Sequence, residues 1–395
     1  MTELVQLRKT EQLAPLPFTR LSAYYFFYYA FIGIFMPYFA LYLQSRGFSS
    51  ARIGLLLALM QWMRLIAPNL WGWLADRIGR RMPVLCIAAF VSLAGFSIIL
   101  FDESFTGIAL GIAVMGFFWT AQSPLAEATT FSHLAGRPGY GAVRAWGSFG
   151  FVVAVLAMGW WLERAGIQWV IHGSVAILAA VAGCALLVPE APRNMKPAGE
   201  VGLWALVRRR EVLALLASCM LMTSAHGALN VFYSIHLVAA GYSKGTVGLL
   251  WTLGVLAEIL VFMRAPSLME HFPLRGLLIF ALIVAMFRFV LIGWGVSWIL
   301  LVMLLQLLHG ITFGLNHIAS ISTISRWFGG AHQAQGQALY GSISAGAGGI
   351  IGSVVSGGLW DSVGASWTFT VASGFALAGL LVLCVGWRKT EGNTE

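Results

Sequence analysis

Apolar runs long enough to cross a bilayer follow one another along almost the whole chain, with little more than turns between them. They fall at roughly 18–45, 50–75, 82–101, 104–130, 140–163, 168–189, 212–240, 244–270, 275–293, 297–325, 332–361 and 366–387. A bilayer core about 30 Å thick takes about 20 apolar residues per helix. In lipid the backbone of such a run must satisfy its own hydrogen bonds, which makes each run a helix. The pattern therefore predicts an all-α polytopic membrane protein with twelve transmembrane helices. Composition agrees: 10% of the residues are charged and mean hydropathy is +0.82, where soluble domains carry about 25% charge. A chain of 395 residues spent this way has no room for a separate soluble catalytic domain.

The first seventeen residues hold Glu3, Arg8, Lys9 and Glu11 and no apolar core, so a cleaved signal peptide is not expected. Cys86, Cys184, Cys219 and Cys384 each stand alone in an apolar stretch. No disulfide framework, metal site or cofactor is expected.

A net charge of +9 could suggest nucleic acid, but the placement of the charges explains it otherwise. With both termini cytoplasmic, the inside segments carry seventeen basic residues, Arg8, Lys9, Arg20, Arg77, Arg80, Arg81 and Arg137 among them. The outside loops carry four, Arg46, Arg52, Arg164 and Lys244. This is the positive-inside pattern. The bilayer, a small solute and protons are the expected partners, nucleic acid is not, and a monomer in a bacterial inner membrane is the expected setting.

The longest polar stretch, Pro189 to Arg210, divides the spans six and six. The expected organisation is an N-terminal bundle over 1–189, a cytoplasmic linker over 190–210 and a C-terminal bundle over 211–395. The halves echo each other. Gly47-Phe48-Ser49 followed by Gly54-Leu55-Leu56 recurs 194 residues later as Gly241-Tyr242-Ser243 followed by Gly248-Leu249-Leu250. Two pseudo-symmetric six-helix bundles with a site between them at mid-membrane are the geometry of alternating access. The eleventh span is dense in small residues, Gly341 to Gly357, which permits close packing or sliding. Tyr28 and Tyr29 in the aromatic first span lie too deep for an interfacial belt, so one of them could serve a cavity wall.

Between spans two and three the chain reads Gly72-Trp73-Leu74-Ala75-Asp76-Arg77-Ile78-Gly79-Arg80-Arg81. This resembles the signature loop of the major facilitator superfamily. A gate suits it: Gly72 allows close contact, Asp76 can pair with a basic group or helix end across the bundle, and Arg77, Arg80 and Arg81 hold the loop cytoplasmic. The matching loop from Arg264 to Arg275 has lost the pattern, which suggests an asymmetric gate.

Ionisable residues inside a span are costly, by about 2.5–3.5 kcal/mol on insertion scales, and so face a cavity or a partner. Arg64 and Glu258 lie mid-span in the two halves, again 194 apart. Glu127 and Arg144, joined by a short loop, suit a structural pair or a substrate clamp. Arg288 lies in span nine. His309 and His317 share a face of span ten with Phe313, beside Asn316, and His226 shares a face of span seven with Asn230 and Tyr233.

Several stretches resemble the 3-phenylpropionic acid transporter family, a branch of that superfamily. They include Tyr140 to Ser148, Ala225-His226, Leu250 to Glu258, Arg288 and Leu305-Gln306-Leu307-Leu308-His309. The resemblance implies import of an aromatic carboxylic acid with a proton, and arginines would suit its carboxylate. A weaker similarity to the lactose permease family implies sugar-type contacts at Glu127 and Arg144 and coupling at Arg288 and His309. Thr312 and Gln306 stand where that family has a glutamate and a lysine, so its coupling route is not intact.

These readings assign proton coupling to Glu258, Arg288 and His309. Substrate contact falls to Arg64, Glu127, Arg144, His226, Tyr28, Asn316 and His317, and gating to Gly72, Asp76, Arg77, Gly79 and Arg80. An exporter of the same fold and a sugar or nucleoside symporter are the alternatives. An enzyme is not expected, since no nucleophile, metal or phosphate motif is found.

Overall fold

The structure is a computed structural model describing residues 16–191, 206–328 and 332–387. The surroundings of positions 68, 69, 72, 73, 76 and 334 are not described. The expectations for Gly72 and Asp76 thus lie outside the described residues, as do Arg8, Lys9 and most of the 190–210 linker.

The first half contains α1 (Phe18–Ser45), α2 (Ser50–Ile78), α3 (Met82–Ser97, prolonged by a 3-10 turn), α4 (Phe105–Leu134), α5 (Tyr140–Ala165) and α6 (Trp169–Leu187). The second begins with α7 (Arg210–Ala239), α8 (Lys244–His271) and α9 (Leu274–Trp294). The tenth span, α10, runs through Ile299–Leu307, a π-helical turn at Gly310–Leu315, and Asn316–Trp327.

The last stretch is one unbroken helix by hydrogen bonding, 52 residues over Gln335–Gly386, so that eleven helices are long and apolar enough to cross. At 1.5 Å per residue it would measure about 78 Å, far more than the bilayer core. Gly364 resolves this. Its φ of 82° and ψ of 170° break the helix, and the contacts on α7 reverse there. Before the break, Gly352 lies against Ser224 and Gly227, and Trp360 stacks on Phe232 at 4.5 Å. After it, Phe369 faces His236, Gly379 lies by Ser218 and Gly386 by Ala214. The chain ascends α7 as α11 (residues 335–363) and returns as α12 (residues 365–386), which restores twelve spans.

The two bundles repeat each other in packing. Gly33 on α1 admits the backbone of Phe151 on α5, and Gly227 on α7, 194 residues on, admits the backbone of Gly352 on α11. The serines of the repeated motif explain their own recurrence. Ser49 Oγ accepts from the Arg52 N–H at 3.4 Å and Ser243 Oγ accepts from the Thr246 N–H at 3.1 Å, so each caps the second helix of its half. The halves meet along α2 with α11 and α5 with α8. Gly54 lies against Gly357, Gly248 against Val155, and the Tyr38 hydroxyl donates to the Lys244 carbonyl at 3.2 Å.

Candidate functional site

In the second half, α8, α9, α10 and α7 bring one polar group into an apolar surround. Glu258 Oε1 lies 2.9 Å from His309 Nε2, with both side chains largely withdrawn from solvent. Small residues allow this approach: Gly254 of α8 sits under the His309 ring, and Gly310 of α10 under Ala257. His309 Nδ1 is buried without a partner. In a plain α-helix residues four apart drift by about 40°, and the wider π turn offsets that drift. His309, Phe313 and His317 consequently stack in one column, with ring planes 10° and 8° apart. The column ends where His317 Nδ1 meets the Tyr340 hydroxyl of α11 at 3.1 Å.

Arg288 is fully buried. Its Nε donates to the Leu305 carbonyl at 2.7 Å, one terminal nitrogen to Thr312 Oγ1 at 2.9 Å, and the other to Gln306 Oε1 at 3.4 Å. All three acceptors are neutral. The carboxylate charge that acts on it is that of Glu258, across the site. Thr312 continues the network to His226. His226 Nδ1 lies 2.9 Å from the Met222 carbonyl, which can only accept, so the proton sits on Nδ1. Nε2 is then free to accept from the Thr312 hydroxyl at 3.4 Å.

In the first half the cluster is aromatic. Tyr28 stacks on Trp119 of α4 at 4.1 Å and 3°. The Arg144 guanidinium lies over the Tyr29 ring at 3.8 Å, a cation–π arrangement. Ser123 donates to Glu127 Oε1 at 2.9 Å, and Arg64 donates to Gln61 at 3.4 Å. Glu127 and Arg144 lie by this aromatic cluster, and Glu258 and Arg288 lie in the polar group of the second half.

A model of the MFS_1 like family matches residues 18–371. The chain belongs to that family. The probable 3-phenylpropionic acid transporter of Escherichia coli (strain K12) is 29% identical over 354 residues, spanning 86% of this chain and 90% of that protein. The maltose permease of Geobacillus stearothermophilus is 26% identical over 367 residues, spanning 91% and 92%. A crystal structure of the nucleoside transporter NupG matches with a TM-score of 0.82 at 16% identity, over 94% of this chain and 99% of that one. It is alike in fold. The chain is accordingly a multi-pass transporter of the major facilitator type and not an enzyme.

For this MFS_1 like transporter, several sequence expectations meet in space and others do not. Glu258, Arg288, His309 and His317 gather as one group. Glu127 and Arg144 form no ion pair: Glu127 is held by Ser123, and Arg144 lies over the Tyr29 ring. This corrects the reading of a structural pair: the guanidinium rests on an aromatic face, and its N–H groups are not given to Glu127. His226 spends both ring nitrogens on protein groups and joins the Arg288 network, so it presents no free nitrogen to a solute. Asn316, 8% exposed, makes no side-chain hydrogen bond among the described residues. In the loop after α2, Gly79 takes a left-handed φ of 75° that ends the helix. Arg81 anchors the turn, donating to the Ala128 carbonyl at 3.0 Å and Ser132 Oγ at 2.7 Å, while Arg80 is exposed. Sequence reasoning missed Trp119, and it read Arg81 as a charge that holds the loop cytoplasmic without its bonds to α4. A tryptophan in mid-span is too deep for an interfacial belt, and that signal could have found Trp119.

Proposed function

We propose that this transporter imports a small organic anion, an aromatic carboxylate such as 3-phenylpropionate, together with a proton by alternating access. The observation that carries the reading is the Glu258–His309 contact beside Arg288, whose hydrogen-bond acceptors are all neutral. A carboxylate desolvated next to an imidazole can take up and release a proton. When Glu258 is protonated, Arg64, Arg144 and Arg288 face Glu127 alone, and an anionic solute balances that excess. Tyr29, half-buried beside Arg144 and backed by the stacked Tyr28 and Trp119, offers an aromatic edge for a ring. Arg144 would hold the carboxylate, with Arg64, Asn316 and His317 as further contacts. His309 and Arg288 modulate Glu258.

In this reading the bundles over 1–189 and 211–395 rock about the site, joined by the 190–210 linker. The protein acts as a monomer in an inner membrane with both termini in the cytoplasm, a placement supported by the charge bias of the loops. A neutral polar solute, a sugar or nucleoside, is the second reading. The uncommitted Asn316 amide and the similarity to maltose permease favour it.

Uptake into proteoliposomes tests both readings. Aromatic acids accumulating under an inward proton gradient, and ceasing to do so when it is collapsed, support the proposal. Gradient-independent equilibration removes symport. Accumulation of sugars or nucleosides but no acids selects the second solute class.

A further inference from the structure

The two seams between the halves end in matching contacts that no element of either helix repeat requires. At the start of α2, the Ser50 N–H donates to Asp361 Oδ2 at 2.9 Å and the Ser50 hydroxyl donates to Asp361 Oδ1 at 2.6 Å. Asp361 lies near the end of α11, in the other half. At the start of α8, the Lys244 N–H donates to Glu163 Oε2 at 2.9 Å. Glu163 lies near the end of α5, again in the opposite half. Ser50 and Lys244 are 194 residues apart, the spacing of the internal repeat.

Local capping does not account for these acids. Ser49 and Ser243 already cap the two helices from within their own halves. Each carboxylate takes the next N–H, on the first helical residue, from across the seam. The first-turn N–H groups and the helix dipole both favour an anion there.

We infer that Asp361 and Glu163 are paired latches that hold this end of the transporter shut, and that both must release before the site can open towards it. The inference rests on alternating access and is independent of the solute and the proton. Each acid bridges halves that must part, so its contacts exist in one state of the cycle and are lost in the other. A ligand-free equilibrium of this kind shifts by whatever contacts distinguish the two states. The placement suits a gate that must also open. Asp361 and Glu163 are exposed at the rim, where such contacts are weak and water can replace them. The glycines beneath, Gly54 with Gly357 and Gly159 with Gly245, let the backbones close tightly enough for the carboxylates to reach. The loops at this end are the ones that the charge bias places outside.

Spin labels on Phe101→Cys and Trp298→Cys, both highly exposed at this end and on opposite halves, report the separation across it. In reconstituted protein without solute, Asp361→Asn and Glu163→Gln should each raise the long-distance population roughly two- to fivefold, the weight of an exposed charge at a helix start. The double variant should show about the product, because separate contacts add in free energy. Ser50→Ala, which removes the hydroxyl contact and keeps the N–H contact, should give a smaller shift. An unchanged distribution in the folded double variant overturns the inference. So does a shift in one single variant with none in the other. If the double variant does not fold, the two single variants decide. Uptake assays on the unsubstituted protein judge the solute and proton separately, so failure of the latches and failure of symport are told apart.

Discussion

Glu258 Oε1 and His309 Nε2 stand 2.9 Å apart where α8 and α10 cross, both largely withdrawn from solvent. The contact sits beside a guanidinium with no carboxylate of its own. An acid in that position changes the charge balance of the whole site when it gains or loses a proton.

Glu258→Gln keeps a group that can hydrogen-bond His309 and removes the proton site. Proton-driven accumulation should fall at least about tenfold, in the range that losing a positioned proton-transfer group costs. Exchange of internal for external solute should persist, since it needs the moving halves and no net proton step. Comparing gradient-driven uptake with counterflow in the same proteoliposomes checks this. Accumulation that survives in Glu258→Gln would move the proton to another group.

Arg288 poses a separate question, whether its charge serves stability or function. Burying an ion costs several kcal/mol after relaxation. An acceptor left without its donor costs about 1–3 kcal/mol. Here one acceptor is a helical carbonyl and the other two sit on rotatable side chains, which places their loss at the low end. Arg288→Met fills most of the volume and removes the ion, so its thermal midpoint in detergent should stay within a few degrees of the parent. Arg288→Ala leaves a cavity as well, which adds about 2–5 kcal/mol for a large buried side chain. Both should abolish coupled uptake. A midpoint for Met as low as that for Ala would mean that the hydrogen-bond fan holds α9 to α10.

The sequence was most legible where lipid leaves no choice. Each apolar run became a helix within a few residues of its expected bounds, because the bilayer fixes length and the backbone must bond internally. The repeat at 194 residues was legible too, and its serines proved to be helix caps. The break at Gly364 falls in the gap expected between the eleventh and twelfth spans, 332–361 and 366–387, although the hydrogen bonding runs through it as one helix. Within the site, single costly charges such as Glu258, Arg288 and Arg144 stood out against an apolar background. Their pairings did not. The π turn that aligns His309, Phe313 and His317 and the cation–π contact that takes Arg144 away from Glu127 depend on which helix faces meet. So do the latches: Asp361 and Glu163 read as ordinary loop-proximal acids until α11 and α5 are set against α2 and α8.

Two glycines of similar crowding should respond differently to the same change. A Cβ at Gly33 would meet the Phe151 carbonyl oxygen at 2.6 Å, and a Cβ at Gly54 would meet the Ser353 carbonyl oxygen at 2.5 Å and Gly357 Cα at 3.0 Å. In both cases the obstacle is backbone, which does not swing aside as a side chain does. Gly33 and Phe151 belong to one bundle and remain together throughout a rocking cycle. Gly33→Val should therefore cost the fold about 1–3 kcal/mol, the usual penalty for overpacking, and lower the thermal midpoint. Gly54 and Gly357 belong to different bundles and touch only while this end is shut. Gly54→Val can escape the clash by letting the halves separate, so its midpoint should lie near the parent value. Its spin-label distances between positions 101 and 298 should lengthen, and turnover should drop because one half of the cycle is blocked. If Gly54→Val instead destabilises as Gly33→Val does and leaves those distances unchanged, the α2–α11 seam is a permanent part of the fold and the opening must occur elsewhere.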